Sequence, residues 1–317
     1  MVMTDLKKLN NLLELFYFQY KNQANKNEIL LTSLKNPKIE YSWHETFELI
    51  NKFSVEIKKF SEEGDRCLLI SENRPEWFIT DLSVMLSEAI TVPAYTTYAE
   101  KDYEYIIENC NPKLIFVSNQ EQFNKVKEII KKKSFINKIF SFEELDADID
   151  TYINVNKLFS NLDYQDSNVP DLSIKRNDPA CIIYTSGTQG NPKGVILSHG
   201  GILNNCDGAL DILKPLLSDQ TRFLTWLPLS HSYEHTVQFV QISVGAKIFY
   251  AESIEKLIKN MNDCKPQLMT AVPRFYQNLY QKINASFNKA SGLRKKLIYN
   301  MLELGKKKIL KQDLSFL

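Results

Sequence analysis

The amino-acid sequence predicts an α/β protein with a mainly parallel sheet, and two observations lead to this fold class. Short apolar runs, typical of buried strands, alternate along the chain with longer segments whose apolar residues recur at helical spacing. The segments between the runs are long enough for the crossover helices that parallel strand pairs require. Strands and helices therefore follow one another in the order that builds a sheet covered by helices.

The first half of the chain contains the clearest helix signals. Residues 4–23 have helical apolar spacing, and SWHE (42–45) has the form of a capping box for a helix that ends near Phe60. Pro75 suits the first turn of a helix over 75–88, because proline lacks an N–H and its φ is already helical. Further helices are predicted over 100–110 and 120–133, and strands over 67–71, 90–95, 113–118 and 138–142.

The second half begins after residues 143–178, which are acidic, polar and weakly periodic and which we interpret as a connecting segment. Two short runs, 181–185 and 194–198, are predicted as strands on either side of a glycine-rich loop. We therefore expect one α/β subdomain over 1–170 and a second over 171–317. The second also has predicted strands over 223–229 and 245–251 and helices over 200–214, from about 231, and over 253–263, 274–287 and 291–312.

Composition excludes several classes of function. The 317 residues include 39 basic and 38 acidic side chains, a net charge of +1, so a nucleic acid is not expected as a partner. The five cysteines are scattered and never spaced as C-x-x-C, which favours reduced thiols in the cytoplasm over disulfides or a zinc ribbon. The N-terminal segment lacks the features of a signal peptide, and no apolar run approaches the length of a transmembrane helix.

The stretch YTSGTQGNPKGVILSH (184–199) is the most distinctive part of the sequence. A Walker phosphate loop, G-x-x-x-x-G-K-[ST], does not fit it. Counted from Gly187, Pro192 stands where glycine is required, and Gly194 stands in place of the magnesium-binding hydroxyl. A Walker loop also opens a helix, whereas the β-branched run over 195–197 favours a strand.

The composition of this loop still indicates phosphate binding. Polyphosphate requires many N–H and O–H donors and a cation, and glycines let backbone amides approach it closely. Thr185, Ser186 and Thr188 supply hydroxyl groups, and Asn191-Pro192 sets a turn before Lys193. A flexible hairpin with a solvated lysine is the alternative that loop composition alone leaves open.

The same stretch is similar to the phosphate-loop signature of the adenylate-forming enzymes, which include acyl-CoA synthetases, luciferases and peptide-synthetase adenylation domains. Gln189 replaces the commoner threonine. Four further segments resemble the long-chain acyl-CoA synthetases in particular, and they occur in the right order. These are ENRPEWFITDLSVMLSEAITVPAY (72–95), FLTWLPLSHSYEHTVQ (223–238), AVPRFYQNLYQKI (271–283) and SGLRKKLIYNMLELG (291–305).

The resemblance implies the N-terminal α/β subdomains of the adenylate-forming synthetase fold. The family's later motifs are not found: its tyrosine–glycine–x–threonine–glutamate motif, its ribose-binding aspartate and the C-terminal domain with a catalytic lysine. We therefore expect the C-terminal domain to be absent and the second subdomain to be incomplete at its C-terminus. As such a fragment, the chain is expected to be inactive by itself.

The resemblance also implies an activity, a long-chain fatty acid–CoA ligase that forms AMP. A fatty carboxylate would attack the α-phosphate of ATP, giving an acyl-adenylate and pyrophosphate, and the thiol of coenzyme A would then displace AMP. ATP, Mg²⁺ and coenzyme A, the last as co-substrate, are the cofactors it implies. The fatty acid is the remaining partner, and the oligomeric state is not indicated.

Site residues follow from the resemblance position by position. His231, in P-L-S-H, would be catalytic and would lie against the adenylate and the mouth of the acyl tunnel, and Tyr233 would line that tunnel. Thr185 would also be the protein ligand to magnesium. The residues that would surround the β- and γ-phosphates are Thr185, Ser186, Gly187, Thr188, Gly190 and Lys193.

Other hypotheses remain open at this point. A ligase for another acid (aryl, medium-chain or carrier-protein-linked) would share the same loop. HSYEH (231–235) also matches the inverted zinc-protease signature H-x-x-E-H, so His231 and His235 could serve a zinc hydrolase. A non-catalytic nucleotide-binding module is a further alternative. The basic amphipathic helix over 291–312 is compatible with peripheral contact to an anionic membrane.

Overall fold

The protein was analysed as a computed structural model, which describes residues 5–148, 152–161, 168–170, 172–185, 192–218 and 220–310. The strands are β1 Ile29–Ser33, β2 Ile39–Ser42, β3 Arg66–Ile70, β4 Ile90–Ala94, β5 Leu114–Val117, β6 Lys138–Ser141, β7 Tyr152–Asn154, β8 Pro179–Thr185, β9 Lys193–Ser198, β10 Arg222–Thr225, β11 Lys247–Tyr250 and β12 Leu268–Met269. The helices are α1 Leu12–Asn22, α2 Trp43–Lys58, α3 Pro75–Leu86, α4 Glu100–Cys110, α5 Gln120–Ile130, α6 Val155–Ser160, α7 His199–Leu213, α8 Ser232–Ser243, α9 Leu257–Cys264, α10 Pro273–Asn288 and α11 Gly292–Ile309.

The larger sheet, sheet B, has the strand order β7-β6-β5-β3-β4-β8-β9 in the described part of the chain. Its strands are parallel from β7 to β8, and only the last pair, β8 with β9, is antiparallel. The predicted α/β class with a mainly parallel sheet is confirmed. The carboxyl ends of β3, β4 and β8 therefore meet at one edge, where ligands bind in open α/β sheets.

The smaller sheet, sheet A, has the order β12-β10-β11-β1-β2, again for the described residues. Strand β1 pairs in parallel with β11, and β2 closes the edge antiparallel to β1. Neither β1 nor β2 was predicted, because ILLTS (29–33) is a short run between two stronger helix signals. Its partner β11 lies more than 200 positions away, and a single short run carries no signal of such a pairing.

Both sheets combine strands from the two sides of the predicted boundary between residues 170 and 171. Strands β8 and β9 join sheet B beside β4, while β1 and β2 join sheet A beside β11. The observed division of the chain is at Thr270, with one compact unit over Met1–Thr270 and a second over Ala271–Leu317. The connecting segment also contains β7 and α6, which its weak periodicity did not indicate.

The core of the first unit is organised around α3. Every residue of this helix is buried, and it contacts strands of both sheets: β1 and β2 in sheet A, and β4 in sheet B. Phe78 packs edge-on against Phe16 of α1 and Phe239 of α8, with ring centroids 6.5 and 6.0 Å apart. Helix α3 is thus the common packing element between the two sheets.

Local sequence signals explain where the neighbouring helices begin. The predicted capping box of α2 is present: Ser42 Oγ accepts from the Glu45 backbone N–H at 3.1 Å, and Glu45 Oε2 accepts from the Ser42 N–H at 2.7 Å. Pro75 occupies the first turn of α3, as predicted. Both features satisfy or remove backbone donors that a helix start would otherwise leave unpaired.

The second unit consists of α10 and α11 in its described residues. The two helices contact each other, and Tyr299 Oη donates a hydrogen bond to Asn288 Oδ1 at 3.3 Å. The predicted helices over 274–287 and 291–312 are confirmed within a few residues at each end. Among the helices of the described chain, none is both long enough and apolar enough to cross a bilayer.

Candidate functional site

The glycine-rich loop connects β8 to β9, as the sequence predicts. Thr185, the last residue of β8, is the Cα partner of Lys193, the first residue of β9. The two residues therefore face each other at the loop end of the hairpin. The run over 195–198 is strand, which confirms the exclusion of a Walker loop. Four predicted phosphate-binding residues lie outside the described residues: Ser186, Gly187, Thr188 and Gly190.

The described end of this hairpin offers a cation and a hydroxyl group to solvent. Thr185 and Lys193 are both exposed, and Lys193 forms no ion pair with a described residue. The residue after Lys193 is Gly194. A Cβ at this position would lie only 2.9 Å from Ile182 Cγ2 and 3.2 Å from the Tyr184 ring. The close approach of β9 to these two side chains therefore requires glycine beside the lysine.

Sheet register places Thr185 at the ligand-binding edge. Cys181 of β8 is the partner of Thr91 in β4, and both strands run in the same direction. Thr185 thus extends to the carboxyl edge that is also formed by Ile70 and Ala94, which are partners at the ends of β3 and β4. Neighbouring strands lie about 4.8 Å apart, so the ends of β3 and β8, with β4 between them, are separated by about 10 Å.

His231 is reached from the other sheet. The chain leaves β10 at Thr225, and the His231 backbone N–H donates to the Pro228 carbonyl at 3.0 Å, which closes a turn just before α8. His231 is exposed and is the N-cap of α8: its Nδ1 accepts from the Tyr233 N–H at 3.2 Å. In the neutral ring the proton is therefore on Nε2, which is left as a donor.

One side chain bridges the two parts of the site. Asn73, in the turn after β3, donates from Nδ2 to the Leu227 carbonyl at 2.7 Å, and its Oδ1 accepts from the Leu229 N–H at 3.0 Å. The segment that leads to His231 is thus bonded to the carboxyl edge of sheet B. The prediction that one nucleotide spans His231 and the loop is consistent with this arrangement and stays a prediction.

His235 has a structural environment rather than a metal-binding one. Its ring is fully buried, and Nε2 lies 2.9 Å from Asp81 Oδ2 of α3, which is also fully buried. Burial by itself lowers the pKa of His235, but the adjacent Cys181 thiol and the Asp81 carboxylate raise it, to about 10. The Trp77 ring meets the imidazole edge-on, with centroids 5.3 Å apart.

This environment argues against the zinc-hydrolase hypothesis. His231 is an exposed N-cap, whereas His235 points into the core and is held by Asp81, so the two imidazoles do not share an open site. Within the described ranges, no group of three or more His, Cys, Asp or Glu side chains could hold a metal ion. His235 is instead a fully buried histidine of α8.

Glu234 is the second buried ionisable group at the start of α8. Its Oε2 accepts from Thr270 Oγ1 at 2.6 Å, while its Oε1 is buried and has no hydrogen-bond partner. Burial raises the pKa of Glu234 to about 7, although the Thr270 hydrogen bond acts in the opposite direction. Its position in the first turn favours the charged form through the helix dipole, and burial opposes this.

A chain of hydrogen bonds lies beneath this helix at the carboxyl end of sheet A. Tyr250 Oη donates to Gln238 Oε1 at 3.0 Å, and Gln238 Nε2 donates to Gln241 Oε1 at 3.1 Å. Gln241 Nε2 in turn donates to Thr225 Oγ1 at 2.9 Å. These buried side chains fix α8 against β10 and β11. Tyr233 projects the other way, with 52% of its surface exposed, and its assignment to the acyl tunnel stays a prediction.

The sequence did not assign a role to Asn73 or Asp81, although both lie in a segment that carries the family resemblance, and it gave Glu234 a role only as the general base of the zinc-hydrolase hypothesis. One signal could have identified Asp81: it is a charged residue in the middle of a mainly apolar helix, PEWFITDLSVML (75–86). A buried carboxylate needs a partner. Nothing local indicates that this partner is His235, 154 positions away.

The fold defines the class of protein. The chain superimposes on the inhibitor-bound N-terminal domain of FACL13 from Mycobacterium tuberculosis with a TM-score of 0.72 and 16% identity, covering 86% of this chain and 65% of that one. It matches ATP-bound MatB from Rhodopseudomonas palustris with a TM-score of 0.69 and 18% identity, covering 86% and 51% of the two chains. The architecture is that of the N-terminal part of the adenylate-forming enzymes.

Sequence comparison gives the family. The chain belongs to the AMP-binding enzyme family, whose match covers residues 18–310. It is 28% identical over 271 residues to the long-chain-fatty-acid–CoA ligase ACSBG2 of Mus musculus, covering 79% of this chain and 39% of that protein. It is also 28% identical over 246 residues to fatty acyl-CoA synthetase A of Dictyostelium discoideum, covering 75% and 36%. The chain thus spans less than two fifths of the length of these relatives.

Proposed function

We propose that this chain forms the phosphate-binding and acid-binding part of a long-chain fatty acid–CoA ligase that consumes ATP and forms AMP. The observation that carries the proposal is the exposed pair of Thr185 and Lys193 at the loop end of the β8–β9 hairpin. The sequence relatives, one named as a long-chain-fatty-acid–CoA ligase and the other as a fatty acyl-CoA synthetase, support the choice of acid. Family membership supports the ligase class.

The residues at this end suit a polyphosphate. Lys193 is a cation without a described counter-ion, so a phosphate would not have to displace a protein carboxylate. The Thr185 hydroxyl group would add a donor, and the loop residues Ser186, Gly187, Thr188 and Gly190 would add further donors. Mg²⁺ keeps several waters and binds phosphates with few protein ligands, so one hydroxyl at Thr185 suits it. When bound, Mg²⁺ would neutralise charge on the phosphates.

His231 would act on the opposite side of the nucleotide. Because Nδ1 is used to cap α8, the Nε2–H of the neutral ring is available to donate to an oxygen of the adenylate or of the carboxylate. A donor held in place before the reaction stabilises negative charge without reorganisation. Tyr233 is exposed two residues after His231 and would contact the acyl group of the substrate.

The proposed reaction has two steps. A carboxylate oxygen of the fatty acid forms a bond to the α-phosphorus of ATP while the bond to pyrophosphate breaks. The sulfur of coenzyme A then attacks the acyl carbon of the adenylate, and AMP leaves with the electron pair of the broken bond. The chain spans less than two fifths of the length of these relatives. We therefore propose that residues 1–317 alone bind ATP weakly and form no acyl-CoA.

The location in the cell follows from the same proposal. We propose a cytoplasmic enzyme whose basic helix α11 contacts anionic membranes peripherally, which would bring it close to fatty acids. Residues 306–308 give the last turn of this helix three consecutive lysines. Sedimentation of the protein with anionic vesicles, but not with neutral ones, tests this contact.

An ATP–pyrophosphate exchange assay on the longest natural form of the protein tests the function. The acids to compare are palmitate, octanoate, benzoate and a carrier-protein-linked acid. Exchange that depends on palmitate and is weaker with the other acids supports the proposal. Exchange with benzoate but not with palmitate would establish the aryl alternative instead. Absence of exchange with every acid would contradict the function and favour a non-catalytic nucleotide-binding module.

A further inference from the structure

We propose that Asn73 is a positioning residue that sets the distance between the phosphate-loop strands and the segment that carries His231. Its importance for catalysis depends on the proposed function, whereas its geometric role does not. The proposal follows from three features of the described structure: the two hydrogen bonds of its side chain, the rigidity of the turn that presents it, and the origin of the bonded segments in different sheets.

The side chain of Asn73 forms two hydrogen bonds with one short segment of backbone. Its Nδ2 donates to the Leu227 carbonyl at 2.7 Å, and its Oδ1 accepts from the Leu229 N–H at 3.0 Å. The carboxamide thus pairs with the backbone as a neighbouring strand would. Two bonds to residues two positions apart fix both the position and the orientation of the segment. His231 follows two residues later, at the turn that closes on Pro228.

The turn that presents Asn73 is held rigidly. Arg74 donates from Nε and Nη2 to both carboxylate oxygens of Glu76, at 2.9 and 3.1 Å, and Glu76 is fully buried. Arg74 Nη1 also donates to Oε1 of Glu143, which lies just after β6, at 3.0 Å. A bidentate arginine–carboxylate pair is geometrically specific, so the backbone at residue 73 has little freedom. Pro75, which lies between Arg74 and Glu76, restricts the backbone further.

The bonded segments belong to different sheets. Asn73 follows β3, which is separated from β8 and the phosphate loop by one strand of sheet B. The segment from Leu227 to Leu229 follows β10 of sheet A. No backbone pairing between the two sheets is present in the described residues. The carboxamide of Asn73 therefore provides a direct hydrogen-bonded link between the end of β3 in sheet B, the sheet that also carries Lys193 on β9, and the segment that carries His231.

A second contact holds the same segment from its other end. Asp81, on the next turns of α3, pairs with His235 one helical turn after His231. With this pair intact, loss of the Asn73 bonds should release the residues before α8 and the first two residues of α8, Ser232 and Tyr233, without detaching the rest of the helix. The expected effect of an Asn73 substitution is thus a local change in position and not global unfolding.

The test combines a distance measurement with amide exchange. Spin labels at Ile196→Cys on β9 and Tyr233→Cys on α8 report the separation, because both positions are exposed and the five native cysteines are buried. Asn73→Ala should broaden or shift the distance distribution. It should also speed hydrogen exchange of the Leu229 amide by at least about fivefold, the factor that corresponds to one lost hydrogen bond.

Two further variants separate positioning from folding. Asn73→Asp keeps the acceptor for the Leu229 N–H but loses the donor to Leu227, so Leu229 should stay protected while the distance distribution still changes. Glu72→Ala is the matched control in the same turn, since the Glu72 side chain faces Gln122 at 3.4 Å and not the His231 segment. It should leave both measurements unchanged.

Activity gives the remaining outcome. In the longest natural form of the protein, Asn73→Ala should lower kcat of acid-dependent ATP–pyrophosphate exchange by about 10²-fold and change the KM for ATP by less than about threefold. Unchanged distances and Leu229 exchange in Asn73→Ala would overturn the inference, and so would an unchanged kcat in an active enzyme. If the wild type shows no exchange, the proposed function fails, and the distance and amide measurements still decide the role of Asn73.

Discussion

The imidazole Nε2 of His235 lies 2.9 Å from Asp81 Oδ2, and neither side chain is accessible to solvent. The contact joins α8, which begins at the candidate site, to α3, which is buried along its whole length. The other nitrogen of the ring and the other oxygen of the carboxylate have no hydrogen-bond partner among the described residues. The contact with His235 is therefore the hydrogen bond that holds the Asp81 carboxylate in the core.

Removing one member of this pair should destabilise the protein strongly. Asp81→Ala leaves the buried His235 without its counter-ion, and the expected loss in the free energy of unfolding is about 3–5 kcal/mol. Urea denaturation followed by circular dichroism measures it. Glu128→Ala removes an exposed carboxylate paired with Lys131 and serves as the control, which should show no measurable loss. Equal effects of the two substitutions would contradict the importance of the buried pair.

The pKa of Glu234 predicts a pH dependence of stability. Burial raises this pKa to about 7, above the ordinary value of 4.5, so the folded protein holds a proton that the unfolded chain releases between these values. The stabilisation is complete below about pH 4.5 and is lost as the pH rises through about 7. Glu234→Gln stays neutral throughout. Its free energy of unfolding relative to the wild type should therefore rise by roughly 3 kcal/mol across this range.

Urea denaturation at several pH values between 4.5 and 8 measures this difference. Glu104→Gln changes an exposed glutamate of α4 and is the control for general effects of charge removal. The pH dependence of this control should follow that of the wild type. A constant difference between Glu234→Gln and the wild type across the range would show that the pKa of Glu234 is the same in the folded protein and in the unfolded chain.

The hydrogen-bond chain under α8 should also be measurable by substitution. Tyr250→Phe removes the donor to Gln238 Oε1 in a fully buried position, which should cost about 1–3 kcal/mol of stability. Tyr299→Phe removes a long hydrogen bond to Asn288 on an exposed surface and should have a much smaller effect. Chemical denaturation of both variants gives the comparison. An insignificant effect of Tyr250→Phe would mean that Gln238 readily finds another donor.

Lys193 should matter for nucleotide use and not for stability. It is exposed at the start of β9, so Lys193→Ala should leave the unfolding midpoint unchanged. In the longest natural form of the protein, Lys193→Ala should raise the KM for ATP in pyrophosphate exchange by about tenfold or more, because a charge-assisted contact to phosphate is lost. Lys259→Ala, on the exposed face of α9, is the matched control. An unchanged KM in Lys193→Ala would remove this lysine from the site.

Much of the fold could be predicted from the sequence because its signals are local. The capping box at Ser42, the proline at the start of α3 and the strands on either side of the glycine-rich loop all depend on residues a few positions apart. Periodicity located most helices and, apart from β7, the described strands of sheet B to within a few residues. The exclusion of a Walker loop was also local, since it rested on two positions, Pro192 and Gly194, and on the strand that follows.

The sequence by itself thus determined the α/β class, the strand–loop–strand geometry at Thr185 and Lys193, and the resemblance to the adenylate-forming enzymes. Only the tertiary structure decided that β1 and β2 join the sheet of β10, β11 and β12, that Asn73 holds the segment before His231, and that Asp81 meets His235. The physical reason is that local signals record backbone preference and the buried face of each element. A contact between residues 154 positions apart depends instead on how those faces pack, and on which strand ends the packing brings to one edge.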